Sequence, residues 1–532
     1  MLTSNENYAM KKIIYSILSL GALFTTSCEL SLPEPNVIPD DDGMVDVTDC
    51  LHFRNGIYNG LRSRTTGAYI YYTDLAMDQF VGTVQNGNTN NNINRGNINS
   101  SMDQATSLWA AYYGGIVTAN YFIERAQPIL DEIPAAQVGN ATEMTRYIAE
   151  AHFARAFYYY KLTEVFCPLY TDQTKDAELG MPLRTNYDPS SNKDTYPGRS
   201  TLAATYKFIE DELALAYDGL KYYEENMPEE AASQSLVQNS SYLNTWIVRA
   251  LQARTALLKG DYANALVYAN DIINNCKIYR LVDASSTGTI LNRQYPYVKM
   301  WTTDEGSELM FRPYADTQEL YIGSTGGGWL KDVSDQVNFL PVSAVLNYYG
   351  TGDVRGRAFL GSQNLFNNGT AYNGVRTFNK WPGNESLRTV ATVNNLANMG
   401  KPFRLSEIYL IKMECEYMTG TGNALATLNN FRKYRIEKYT DASYSGDELY
   451  AQIKAERTKE LIGEGFRMAD LRRWKESFTR TVGLSGIENL IVNGSDGVHY
   501  TENDYRYVWP IPAEEIQVNP QLEGHQNPGY GN

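Results

Sequence analysis

Apolar residues return at steps of three and four along several stretches of the chain. Ile148, Ala151, Tyr158, Leu162 and Val165 share one face, with Arg155 beside them, and predict an amphipathic helix over 148–165. Trp246, Ala250, Ala253 and Leu257 repeat the spacing up to Gly260, and Ala265, Ala269 and Ile272 resume it after a Gly-Asp-Tyr turn. That is a pair of helices. Leu405, Ile408, Ile411, Cys415 and Met418 begin a second pair, broken at Gly420 and continued by Ala424, Leu425 and Leu428. Two long stretches, about 64–101 and 278–400, lose this period. They are rich in Gly, Asn, Thr and Tyr, with short apolar runs such as YIYYTDLAMDQF and SELMFRPYAD, and read as loop-rich insertions containing short strands. The pattern predicts a mostly α fold in which helix pairs frame the insertions.

The N-terminus follows different rules. Lys11 and Lys12 precede an uncharged run from Ile13 to Phe24 that ends in Thr25, Thr26, Ser27 and Cys28, the layout of a secretory leader too short to span a bilayer. We read 1–27 as a signal peptide, with Met10 as the natural start. Cys28, directly after small residues, resembles the acylated cysteine of bacterial lipoproteins. Residues 28–45 are Pro-rich and acidic and read as a lipidated, flexible tether, leaving 46–532 as a single domain. Cys50, Cys167, Cys276 and Cys415 form no C-x-x-C pair and read as buried free thiols.

Composition narrows the chemistry. A net charge of -15 disfavours nucleic acid, which needs clustered Lys and Arg. Tyr is abundant, 41 against 17 Phe and 7 Trp, and a ring with an apolar face and a polar rim suits sugars. The four histidines, His52, His152, His499 and His525, make no H-E-x-x-H, no G-x-S-x-G occurs, and Gly326–Gly328 do not fit a phosphate loop. Thus no catalytic residue, metal or cofactor is indicated. A pair of carboxylates for a secreted hydrolase remains open, since sequence does not give their separation in space.

Two C-terminal segments stand out. ERTKELIGEGFRMADLRRW (456–474) places Arg457/Glu460, Glu464/Arg467, Arg467/Asp470 and Asp470/Arg473 three apart, which predicts a ladder of helix-surface ion pairs worth about 0.2–0.5 kcal/mol each. Gly463 and Gly465 predict a break between two short helices. In WPIPAEEIQVNPQLEGHQNPGY (509–530), Pro510, Pro512, Pro520 and Pro528 predict a helix-free, extended tail wrapping the body.

These two segments, with AEAHFARAFYYYKL (149–162), Asp74, Asp78, Trp109, Tyr112, Ala119, Asn120, Asp353 and Arg355 in order, resemble the SusD/RagB family of outer-membrane nutrient-binding lipoproteins. The helix pairs likewise resemble tetratricopeptide repeats, here interrupted by insertions. The resemblance implies a cell-surface, lipid-anchored protein of the outer membrane that is not an enzyme. Such a protein captures oligosaccharide or polysaccharide and passes it to a SusC-like TonB-dependent transporter. A peptide ligand is the alternative that the RagB branch implies. The resemblance also directs the search for ligand contacts to the two insertions, where Trp329, Tyr321, Tyr314, Asp78, Asn88 and Arg95 are the candidates.

Overall fold

The computed structural model describes residues 43–288, 293–318 and 324–531. The leader, Cys28, most of the tether and Tyr321 lie outside them. The described chain is mostly helical. Helices α1 (Val47–Ser63), α2 (Ala68–Leu75), α3 (Asp103–Glu132), α4 (Val138–Phe166) and α5 (Leu202–Asn226) build the first half, with α4 packed between α3 and α5 and α1 lying against α3 and α4. The 148–165 periodicity is the later part of α4, whose face is lined by Ala151, Tyr158, Leu162 and Val165, all buried.

The two predicted pairs are present. In the first, α6 (Thr245–Lys259) and α7 (Tyr262–Asn275), Gly260 closes the leading helix at φ 81°, a left-handed conformation that a Cβ disfavours. Asn244 and Asp261 cap the two starts, accepting from the amides of Ile247 and Asn264 at 3.1 Å each. The second pair, α8 (Leu405–Thr419) and α9 (Ala424–Lys433), breaks at Gly420. α7 packs on α8, so the pairs stack in space although the 278–400 insertion separates them in sequence. Cys50, Cys167, Cys276 and Cys415 are buried free thiols.

Short antiparallel strands tie the insertions together. β1 (Phe80–Gly82) of the first pairs with β3 (Phe339–Pro341) of the second, while β2 (Leu309–Phe311) pairs with β6 (Phe403–Arg404). β4 (Leu360–Asn367) and β5 (Thr370–Phe378) form a hairpin that turns at Asn368-Gly369, both at positive φ, as a two-residue hairpin loop requires.

The 456–474 segment corrects the surface-ladder expectation. Its helices, α10 (Gly446–Leu461) and α11 (Arg467–Trp474), do break at Gly463 and Gly465, but Glu456, Arg457, Glu460, Asp470 and Arg472 along them are buried. Of the four expected pairs only Asp470–Arg473 forms, at 3.1 Å. Glu460, fully buried, instead meets Arg435 at 2.9 Å, Arg404 at 3.0 Å and Arg355 at 3.4 Å, and accepts from the Tyr297 hydroxyl at 2.8 Å. Glu464 binds Lys380 and Arg404 at 2.6 Å each, and Glu456 binds Arg355 and Arg432 at 2.7 Å each. Burial pushes the Glu460 carboxyl up, but the three guanidinium groups outweigh it and hold the group well below the usual range. The segment is therefore a charged bolt, joining β6, α9 and the second insertion.

The tail also differs from expectation. Pro512 stands at the N-cap of α12 (Ala513–Val518), where a missing N–H costs nothing, so a short helix fits between the prolines. The tail does close on the body. The C-terminal carbonyls of α4 would otherwise be orphaned: Glu164 accepts from Arg472 Nη2 at 2.8 Å, Val165 from the Trp509 amide at 2.9 Å, and Phe166 from Asn527 Nδ2 at 2.8 Å.

Candidate ligand-binding site

The residues expected to touch ligand fall into different places. Trp329 is 1% exposed, packed edge-on by Tyr71 and Phe378 and tilted against Phe80, with centroids 4.9–5.9 Å away. It presents no face to a ligand. The glycines before it are there for close packing: a Cβ on Gly326 would meet the Trp381 carbonyl oxygen at 2.1 Å, and one on Gly328 the Tyr71 ring at 2.4 Å. Asp78 is bound bidentately by Arg467 at 2.7 and 2.8 Å. Burial raises its carboxyl, yet Arg467 outweighs this and holds it below its ordinary value. It ties the first insertion to α11 rather than facing outward.

Asn88 and Arg95 lie on the rim of the first insertion. Asn88 is exposed at φ 66° and accepts from Asn91 Nδ2 at 3.1 Å, and Arg95 Nε donates to the Asn493 carbonyl at 2.9 Å. Behind them amides interlock, Asn86 with Asn91 and Asn92 with Gln104, each pair joined by two hydrogen bonds of 2.6–3.2 Å. Gln85 Nε2 donates to the Phe366 carbonyl at 3.0 Å, so the β4–β5 hairpin abuts this rim.

Tyr314 stands elsewhere, half exposed on the wall of a cleft of about 770 Å³. Asn55, Tyr58, Asn59 and Arg62 of α1 line one side, and Ser241, Tyr242 and Pro313 the other. The segment before α6 is laced to the strand β2: the Arg312 amide donates to the Ser240 carbonyl at 2.8 Å, and Ser241 Oγ donates to the Arg312 carbonyl at 3.1 Å. Arg62 Nη1 donates to the Tyr314 carbonyl at 3.0 Å and fixes the wall to α1.

The two floor tyrosines are held rigidly. Tyr58 and Tyr242 meet edge to face with centroids 5.4 Å apart. Arg54 lies 5.0 Å from the Tyr58 ring and 4.8 Å from the Tyr242 ring, with Arg146 5.2 Å from the latter. Glu150, fully buried, bridges the two cations, accepting from Arg54 Nη2 at 2.8 Å and Arg146 Nε at 3.0 Å. Burial raises Glu150, but Arg54 outweighs it and keeps the carboxylate ionised below its usual range. On the rim, exposed Asn59 accepts through Oδ1 from Arg62 Nη2 at 2.9 Å, and the Tyr314 hydroxyl donates to Asp316 at 3.0 Å.

Rigid aromatic surfaces bordered by amide, hydroxyl and carboxylate groups have the chemistry that suits a ligand with apolar faces and many hydroxyls. Among the described residues no group of three or more His, Cys, Asp or Glu could hold a metal, and no helix is long and apolar enough to cross a membrane. Tyr58, Tyr242, Asn55 and Asn59 escaped sequence reasoning because they belong to α1 and the approach to α6, not to the insertions.

The fold first defines a class, a stacked helix-pair scaffold with strand-tied insertions. The chain belongs to the SusD/RagB family. The SusD family profile matches residues 321–530, and a second, described as starch-binding associating with outer membrane, matches 43–244. Solved structures share the fold. A SusD superfamily protein from Bacteroides thetaiotaomicron VPI-5482 is 24% identical with a TM-score of 0.74, covering 91% of this chain and 100% of its own. A putative sugar binding protein from Bacteroides vulgatus ATCC 8482 is 22% identical (TM-score 0.68; 92% and 100% covered). Surface glycan-binding protein A from Bacteroides fluxus is 19% identical (TM-score 0.65; 91% and 99%). No curated protein matches the chain.

Proposed function

We propose that this chain is a cell-surface lipoprotein, anchored to the outer membrane through acylated Cys28, that captures oligosaccharide and delivers it to a SusC-like TonB-dependent transporter. The observation that carries the ligand class is the cleft of about 770 Å³ between Tyr58, Tyr242 and Tyr314. Family membership and the names of the related proteins support the same reading. Capture needs no bond to be made or broken. Sugar rings lie against the fixed tyrosine faces, while Asn55, Asn59 and Ser241 exchange hydrogen bonds with hydroxyls. The floor does not reorganise on binding, because Arg54, Arg146 and Glu150 already hold it, so little ordering is charged against affinity.

Native gels cast with soluble polysaccharides test the ligand class. Retardation by at least one glycan is expected. Free migration in every polysaccharide, together with binding of peptides, would replace sugar by the peptide alternative.

A further inference from the structure

The tyrosine cleft flanks α1 on one face. A second hollow, of about 180 Å³, lies on the next face of the helix, lined by Ile57, Gly60 and Ser63 of α1 and by Arg64, Gly115, Thr118 and Tyr158. Both hollows are bordered by Gly56 and Asn59, so only the surface of α1 at these two residues separates them.

Gly56 has no structural duty that explains it. Glycine within a helix is destabilising relative to alanine, and a reason is expected. At Gly60 the reason is packing, since a Cβ would meet the Tyr158 hydroxyl at 3.0 Å and Arg64 Nη1 at 3.1 Å. At Gly115 it is packing again, with the Tyr158 ring 2.4 Å away. A Cβ on Gly56 meets nothing within 4 Å, and its φ is not in the left-handed region. What the missing side chain does is keep the crest of α1 low between the hollows. Asn55 and Asn59 flank that crest, exposed.

The second hollow carries groups suited to hydroxyls. Thr118 is exposed, and Arg64 spends Nε and Nη1 on the carbonyls of Ala111 (2.6 Å) and Gly60 (3.2 Å), which fixes its guanidinium at the edge. We infer that the two hollows are subsites of one groove crossing α1 at Gly56, and that its ligand is a neutral oligosaccharide long enough to lie across the helix. This deepens, and rests on, the capture of sugar in the tyrosine cleft. A helix with side chains is about 10 Å across, so a disaccharide fills only one side.

Calorimetry with malto-, xylo-, manno- and fructo-oligosaccharides, each as disaccharide and hexasaccharide, tests the groove in wild type, Gly56→Ala, Gly56→Phe and Tyr314→Ala. For the series that binds, the hexasaccharide should bind wild type at least tenfold more tightly than the disaccharide. Gly56→Phe should erase that advantage and keep the melting temperature, whereas Gly56→Ala should stay within about threefold of wild type. Tyr314→Ala should weaken both lengths. Equal hexasaccharide affinity in Gly56→Phe and wild type, or no gain with length, overturns the groove while leaving sugar capture intact. Absence of binding in every series overturns both.

Discussion

Replacing Glu460 by Gln keeps the volume and one acceptor but deletes the charge at the centre of the bolt. Arg355, Arg404 and Arg435 then face one another across a buried site in which five cations, Lys380 and Arg432 included, share the four remaining carboxylates Asp353, Glu308, Glu456 and Glu464. Breaking a buried pair by removing one partner costs about 3–5 kcal/mol, because the remaining charge stays desolvated. With an unfolding entropy of about 2.1 cal/mol/K per residue, a cooperative unit of about 500 residues changes its Tm by about 3–5 °C for that loss. The exposed pair Glu385–Arg388 is the control: Glu385→Gln there should cost about 0–1 kcal/mol. Calorimetric melting of the three proteins at pH 7 provides the comparison. The Glu460 contribution is present above the ordinary carboxylate pKa of 4.5 and is lost as pH falls through its depressed folded value, so the gap between wild type and Glu460→Gln should narrow in acid. If Glu460→Gln melts no lower than Glu385→Gln, the bolt does not hold the fold together.

Three other outcomes follow from the structure. Asp74 is buried and accepts from the amides of Gly465 (2.9 Å) and Arg467 (3.2 Å), and burial pushes its carboxyl up to about 7. Its contribution is fully present below 3.8 and lost as pH rises through about 7, at about 1.4 kcal/mol per pH unit. Denaturant titrations should therefore show wild type losing ground to Asp74→Asn between pH 4 and pH 7; parallel curves would contradict this. Trp329→Ala should cost about 3–5 kcal/mol as a core cavity while the folded protein keeps its glycan affinity, and lost affinity with an unchanged Tm would return Trp329 to the site. Cys28→Ser should move the protein from the membrane fraction to the medium and abolish labelling by a lipid analogue; unchanged fractionation and labelling would refute the anchor.

The helix pairs were readable because a buried stripe at 3.6-residue spacing leaves its mark on local sequence, and Gly260 and Gly420 mark the turns. The charged segment was not, because spacing alone does not tell a wet helix face from a buried one. The partners of Glu460 and Glu464, namely Arg355, Lys380, Arg404 and Arg435, come from other elements. The short strands expected in 278–400 include the hairpin, whose turn carried its own signal in Asn368-Gly369. Trp329 misled because three preceding glycines look like a mobile loop, whereas they admit the Trp381 carbonyl and the Tyr71 ring. Of the candidate contacts, Tyr314 reaches the large cleft, and its companions Tyr58 and Tyr242 are brought to it by α1 and by the segment laced to β2. No local pattern distinguishes those two from the many other tyrosines of the chain.

The central claim is that sugar is captured between these tyrosines. Isothermal titration of purified wild type and Tyr314→Ala against the glycan that retards the protein in gels tests it directly. Tyr314 is half exposed, so its loss should spare the fold. The account predicts saturable binding to wild type and at least about tenfold weaker binding to the variant, equivalent to about 1.4 kcal/mol. Equal affinity for the two proteins, with both fully folded, would place the sugar elsewhere and contradict the account.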